Sequence, residues 1–171
     1  MLGYYRASRR DAGPFEENVP VFDIGHPAPN FTLDLHSGET VALAELYRDR
    51  VVVLFFYPKD GTAICTKEAC AFRDSYERFT VAGATVVGVS SDSAESHQQF
   101  AEQHRLPFLL ATDPNGALRK AIGVPKTLGF LPGRTTYVID RQGIIRAVFS
   151  AQFAAERHVQ AALDAIAQLV Q

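Results

Sequence analysis

The chain has 171 residues, 47% of them hydrophobic and 21% charged, with a formal net charge of −2. That length suits a domain that buries its own core, and the near-neutral charge gives no electrostatic case for a nucleic-acid partner. The longest apolar run, Val51-Val52-Val53-Leu54-Phe55-Phe56-Tyr57, is far too short to cross a bilayer, so no membrane association is expected.

Residues 1–18 carry Arg6, Arg9 and Arg10 but no apolar core or small-residue cleavage pattern, which excludes a secretory signal. Asp11 is the first acidic residue. The stretch reads as a plain flexible tail over 1–20 rather than a short organellar presequence, and a cytoplasmic location follows. Residues 21–171 form the expected single domain.

Gly25 to Asn30, with Pro27 and Pro29, is a rigid lead-in, and Phe31-Thr32-Leu33-Asp34-Leu35 then alternates as a strand does. A strand end from Val41 passes into a short helix near Tyr47. The run from Val51 is apolar on both faces, the pattern of a central strand. Residues 66–80 lack Gly and Pro and place Ala69, Phe72, Tyr76 and Phe79 at helical spacing. A second buried strand covers 84–90, and Ser93 can cap a helix over 94–104. A third short strand is expected over 107–110, and a short helix ends near Gly123. Residues 124–133 read as a loop. Strands over 134–140 and 144–149 flank Arg141-Gln142-Gly143, a hairpin signal, and a last helix covers 154–170 with Val159, Leu163 and Ile166 on one face.

Alternating strands and helices followed by a hairpin predict a three-layer α/β domain with antiparallel strands at one side. A thioredoxin-like fold, with a mixed central sheet flanked by helices, satisfies this order. An all-parallel flavodoxin-like sheet is the second choice, disfavoured by the hairpin and by the lack of a phosphate loop.

The chemistry concentrates where the central strand ends. Pro58-Lys59-Asp60-Gly61 turns the chain into a helix whose start carries Cys65, with the other of the two cysteines, Cys70, five residues on. A thiol reacts as its thiolate, so its ordinary pKa of ~8.5 must be lowered. A helix start offers unpaired N–H groups and the positive end of the dipole. Thr62 can donate to the sulfur or to a substrate oxygen, Arg134 can bring a permanent cation, and Pro58 can restrict water. Free cysteines are also among the most buried residues, so spacing alone leaves Cys65 and Cys70 open between function and packing. A zinc site is poorly supported, because the gap is four residues and no histidine pair completes it. His97 and His104 read as a solvated helix face, and His26, His36 and His158 stand alone.

On one regular helix, five residues give a rise of ~7.5 Å and a rotation of ~500°, which sets the Cα atoms ~8.6 Å apart. A disulfide tolerates up to about 7 Å. A Cys65–Cys70 bond therefore requires the start of this helix to unwind.

Pro58-x-x-x-Thr62-x-x-Cys65 matches the active-site signature of the peroxiredoxins. Tyr57-Pro58-Lys59-Asp60, Thr66 to Asp74, Gly88-Val89-Ser90, Asp113-Pro114 and Arg134 to Asp140 resemble the PrxQ, or bacterioferritin comigratory protein, branch. The resemblance runs from about Gly25 to the C-terminus. It implies a thioredoxin-dependent thiol peroxidase in antioxidant defence and redox homeostasis, acting on hydrogen peroxide and organic hydroperoxides. Cys65 would be the peroxidatic cysteine. Thr62, Arg134 and the Cys65 N–H would orient the peroxide, Glu68 would hold Arg134, and Pro58 would shield the sulfur. Cys70 would be the resolving cysteine, closing an intramolecular disulfide that thioredoxin or a similar dithiol reduces. No metal, haem or flavin cofactor is implied, and the state expected is a monomer or weak homodimer.

Ala63-Ile64 departs from the branch's usual Pro-Gly, Thr135 stands where Ser is common, and the 124–133 loop is shorter than is typical. Two rival readings are a general disulfide oxidoreductase, which would use Cys-x-x-Cys, and a non-enzymatic redox sensor or binding module.

Overall fold

The computed structural model of the chain describes residues 23–169, so the expected tail over 1–20 lies outside the described residues. The elements, in order, are β1 (Thr32–Leu35), β2 (Thr40–Ala42), α1 (Leu43–Asp49), β3 (Val51–Phe56), α2 (Ala63–Asp74), α3 (Tyr76–Val81) and β4 (Ala84–Ser90). They continue with α4 (Ala94–His104), β5 (Leu109–Thr112), α5 (Ala117–Ile122), β6 (Thr135–Ile139), β7 (Ile145–Ser150) and α6 (Ala155–Leu169).

The seven strands form one sheet in the order β2-β1-β5-β4-β3-β6-β7. β3 pairs parallel with β4 and antiparallel with β6, so the sheet is mixed, as the hairpin predicts, and the all-parallel alternative is excluded. Every residue of β3 is buried. Its side chains alternate between two apolar layers, as strand geometry requires. Val51, Val53 and Phe55 face α2, α3, α4 and α6 through Ala69, Phe72, Phe79, Phe100, Val159 and Ile166. Val52, Leu54 and Phe56 face the opposite layer with Leu43 of α1 and Ile122 of α5. No helix among the described residues is long and apolar enough to cross a membrane.

Three boundaries differ from the sequence expectation. The strand placed at 107–110 is β5 at Leu109–Thr112, because Phe108 turns into the aromatic layer beside Phe55 and Phe72 instead of extending the ladder. The helix expected to begin near Thr66 starts at Ala63, which draws Cys65 into its first turn. It also ends at Asp74, where Ser75 leaves helical geometry (φ −101°, ψ 3°) and α3 begins anew.

The register of β3 against β6 pairs Phe56 with Thr135, which sets Arg134 one residue past that pair, beside the turn leading to Cys65. The preceding Gly133 is needed there. A Cβ at this position would lie 1.8 Å from the Pro125 carbonyl oxygen, so the 124–133 loop can close against Arg134 only without a side chain.

Candidate active site

Cys65 is the third residue of α2, where the backbone N–H groups of a helix have no intrahelical partner. The thiol is only 2% exposed. Nη2 of Arg134 donates to its sulfur at 3.1 Å, while Nη1 binds Glu68 Oε2 and Nε donates to the Gln152 carbonyl at 3.2 Å. All three guanidinium nitrogens are thus committed, and the planar fork is held in one orientation against the sulfur. A fixed cation and the unpaired N–H groups of a helix start thus converge on the sulfur.

Glu68 follows Cys65 by three residues, so both lie on one face of α2. Its carboxyl is fully buried, and burial raises its pKa from the ordinary 4.5 to about 7 against the opposing pull of Arg134. Oε1 of Glu68 has no hydrogen-bond partner among the described residues. It faces Nδ1 of His158 at 3.6 Å. His158, from α6, is also fully buried. Its Nε2 donates to the Ala151 carbonyl at 2.8 Å, and Thr136 Oγ1 lies 2.8 Å from Nδ1. Burial lowers its pKa to about 4, opposed by the bond to Ala151 and assisted by Arg134 and Arg157.

The turn before α2 has its own buried lock. Tyr57 Oη donates to Asp60 Oδ1 at 2.6 Å, and Asp60 Oδ2 meets His97 Nδ1 at 2.7 Å and accepts from Ser96 Oγ at 2.9 Å. His97 Nε2 lies 3.1 Å from the Ala111 carbonyl oxygen. Asp60, Asp92 and His97 have ligand atoms within 4.8 Å of one another, a spacing that could hold a cation. The same atoms are engaged by one another and by Tyr57, Ser90 and Ser96, so the cluster reads as a polar staple for the turn.

Of the residues named from the sequence, Cys65, Arg134 and Glu68 meet directly. The Thr62 hydroxyl donates to the Lys59 carbonyl at 3.2 Å, not to the sulfur, and Thr62 is exposed at the helix N-cap. Pro58 is half-buried in the turn. Cys70 is half-buried on another side of α2, in a groove toward α6 lined also by Lys67, Asp74 and Glu156, with its sulfur 4.0 Å from His104 Nδ1. Both thiols are free.

Two histidine readings are corrected. His97 is no solvated-face residue: it is fully buried because it partners Asp60 across the fold. His158 does not stand alone, because α6 packs it behind Glu68. Sequence reasoning also missed Arg119, which binds the Tyr57 and Gly133 carbonyls and fixes both chains flanking the site.

The AhpC/TSA family model matches residues 24–148, most of the chain. The chain belongs to the AhpC/TSA family. Within it, the chain is 49% identical over 146 residues to the chloroplastic peroxiredoxin Q of Triticum aestivum, covering 85% of this chain and 67% of that one. It is 48% identical over 146 residues to that of Sedum lineare, covering 85% and 78%. Among solved structures, the peroxidoxin BcpB of Mycobacterium tuberculosis superposes with a TM-score of 0.79 at 36% identity, over 85% of this chain and 97% of that one. Peroxiredoxin Q of Xanthomonas campestris gives 0.74 at 28% identity, over 82% and 92%.

The chain is therefore a peroxiredoxin with the thioredoxin-like fold, and an enzyme of the thiol peroxidase class. Membership implies a peroxide substrate and a thioredoxin-like reductant. The cytoplasmic location expected from the sequence is overturned, since both plant relatives are chloroplastic proteins.

Proposed function

We propose that this peroxiredoxin reduces hydrogen peroxide and organic hydroperoxides with Cys65 as the peroxidatic residue and Cys70 as the resolving one. The observation that carries the reading is the 3.1 Å hydrogen bond from Arg134 to a buried sulfur in the first turn of α2. The Cys65 thiolate attacks the terminal peroxide oxygen. A sulfur–oxygen bond forms, the oxygen–oxygen bond breaks, and the departing alkoxide or hydroxide takes up a proton to leave as alcohol or water. Donors already aimed at the sulfur, from Arg134 and the helix start, stabilise charge on the oxygens without reorganising. Thr62 meets the peroxide once its hydroxyl turns from Lys59, and Pro58 limits water at the sulfur.

Cys70 then displaces the sulfenic oxygen as water, closing a disulfide that a thioredoxin-like dithiol reduces with two electrons. Both cysteines lie on the regular helix Ala63–Asp74, so the first turns of α2 open before this bond can form. Action on organic hydroperoxides is supported by Leu128 and Phe130, 78% and 72% exposed on a loop tied through Thr127 to Gln152, whose carbonyl holds Arg134. The enzyme works as a monomer or weak homodimer. For location, the names of the plant relatives support a chloroplast setting.

Stopped-flow oxidation of reduced protein is the test. Cys65→Ser abolishes peroxide consumption, whereas Cys70→Ser keeps one turnover and loses the disulfide seen by mass spectrometry. Oxidation of Cys65 no faster than that of a free thiol sinks the reading.

A further inference from the structure

Behind the sulfur lies a second buried pair. Cys65, Glu68, Arg134 and His158 are each 2% exposed or less. A carbonyl can only accept, so the bond to Ala151 fixes the proton of a neutral His158 ring on Nε2 and leaves Nδ1 as an acceptor. Nδ1 accepts from the Thr136 hydroxyl at 2.8 Å and also lies 3.6 Å from Glu68 Oε1, a carboxyl oxygen that itself lacks a donor. Two acceptors facing each other in a dry site are unfavourable. The ring edge of Phe149, centred 4.7 Å from that of His158, helps to enclose the pair.

The charges make the same point. A Cys65 thiolate, a Glu68 carboxylate and the Arg134 guanidinium together leave one uncompensated negative charge in the interior, which is costly. One added proton removes both problems: it makes the cluster neutral and gives the orphan oxygen a partner.

We propose that Glu68 and His158 hold one proton between them, resting on Glu68 Oε1 and aimed at His158 Nδ1, whose lone pair it shares with the Thr136 hydroxyl. His158 is then a positioning residue that keeps the charge of Arg134 available to the Cys65 thiolate and the peroxide. The 3.6 Å separation is longer than the roughly 2.7–3.2 Å of a hydrogen bond, and the carboxyl closes it on taking the proton. The other charged groups around the pair agree with Glu68 as the resting place. Arg134 faces it from just before β6, and Arg157 lies on α6 over Phe149. Both are cations that disfavour a protonated imidazole. Lys67 and Glu156 pair with each other at 3.2 Å on the exposed side of α2 and α6. The direction of both titrations, Glu68 upward and His158 downward, fits a proton on the carboxyl.

Because the kinetic part rests on Cys65 being peroxidatic, the test has two arms. In Cys70→Ser protein, where Cys65 is the one thiol, the rate of oxidation by hydrogen peroxide is followed against pH. Glu68→Gln carries a neutral amide whose N–H can donate to Nδ1, mimicking the protonated carboxyl, so the ratio of its rate to the parent's rises as pH climbs through neutrality. His158→Phe removes the acceptor and lowers the rate about fivefold at neutral pH, as one unit lost from the pair's proton affinity requires. In the Glu68→Gln background the same substitution has less than about a twofold effect, since there is no proton left to lose. An equal loss in both backgrounds would mean that His158 merely fills space, and would overturn the proposal.

The second arm needs neither peroxide nor a His158 variant. The ring ¹⁵N resonances of His158 are followed through the Glu68 titration in Cys70→Ser protein. Nδ1 shifts with that titration in the parent and stays fixed in Glu68→Gln, if the proton is shared. An Nδ1 signal insensitive to Glu68 refutes the dyad whatever Cys65 does, whereas a responsive Nδ1 with an unreactive Cys65 would refute the peroxidase reading alone.

Discussion

Two buried histidine–carboxylate pairs flank the start of α2, and they are built differently. His97 and Asp60 meet at 2.7 Å, and Asp60 also accepts from Tyr57 and Ser96. His158 and Glu68 stand 3.6 Å apart with one carboxyl oxygen unpartnered. A fully satisfied network rigidifies what it touches, while an incompletely satisfied one is sensitive to the gain or loss of a proton. The first pair holds the turn that presents Cys65. The second lies behind the guanidinium that binds its sulfur.

The largest effect expected on this contrast is at Arg134, which joins the second pair to the thiol. Arg134→Ala slows Cys65 oxidation by about 10²–10³-fold, read by stopped flow, because it removes the sulfur's donor and, on the proposed mechanism, a donor to the peroxide. Next comes Asp60→Ala. It removes the carboxylate shared by Tyr57, Ser96 and His97, leaving the Tyr57 hydroxyl and His97 Nδ1 only their 3.4 Å contact with each other, and is expected to cost about 3 kcal/mol in urea unfolding. Equal stability losses for Asp60→Ala and Glu68→Gln at neutral pH would erase the distinction between the pairs.

Glu68→Gln has a pH signature of its own. The folded state raises the Glu68 pKa from 4.5 to about 7, so the parent's folded form retains a proton that its unfolded form releases. That contribution to stability is complete below about pH 4.5 and is lost as pH rises toward 7. Relative to the parent, the glutamine variant therefore gains stability across this window, by up to about 3 kcal/mol, and the gain is level above it. His158 runs the other way. Its pKa is lowered from 6.5 to about 4, so its contribution is complete above about pH 6.5 and is lost as pH falls toward 4. Thermal unfolding of the glutamine variant across these pH values exposes the histidine slope that Glu68 masks in the parent.

The smallest effect marks the edge of the buried system. The Lys67–Glu156 pair is exposed, so Lys67→Ala should shift unfolding by less than about 0.5 kcal/mol.

The signals readable in the sequence were the local ones. The two-faced apolar run at Val51 gave the central strand, the Arg141-Gln142-Gly143 turn gave the β6–β7 hairpin, and the Pro58 to Cys65 spacing gave the turn and the thiol at a helix start. Arg134 could be named because it opens a strand and matches a motif. The histidines could not, since His97 reaches Asp60 across 37 residues and His158 reaches Thr136 across 22. Such contacts depend on how α4 and α6 rotate against the sheet, which a helical pattern fixes only to within a face. The displacement of β5 has a similar origin: Phe108 satisfies strand and core patterns alike, and the aromatic layer takes it.

On the proposed cycle, the unbroken run of α2 from Ala63 to Asp74 also acts as a clock. Ala69 and Phe72 anchor its later turns in the apolar layer, so opening the first turns for Cys70 competes with that packing. While the helix stays wound, a sulfenic acid at Cys65 remains open to a second peroxide and the irreversible step to sulfinic acid. The firmness of one short helix thus sets the peroxide concentration at which the enzyme begins to destroy itself.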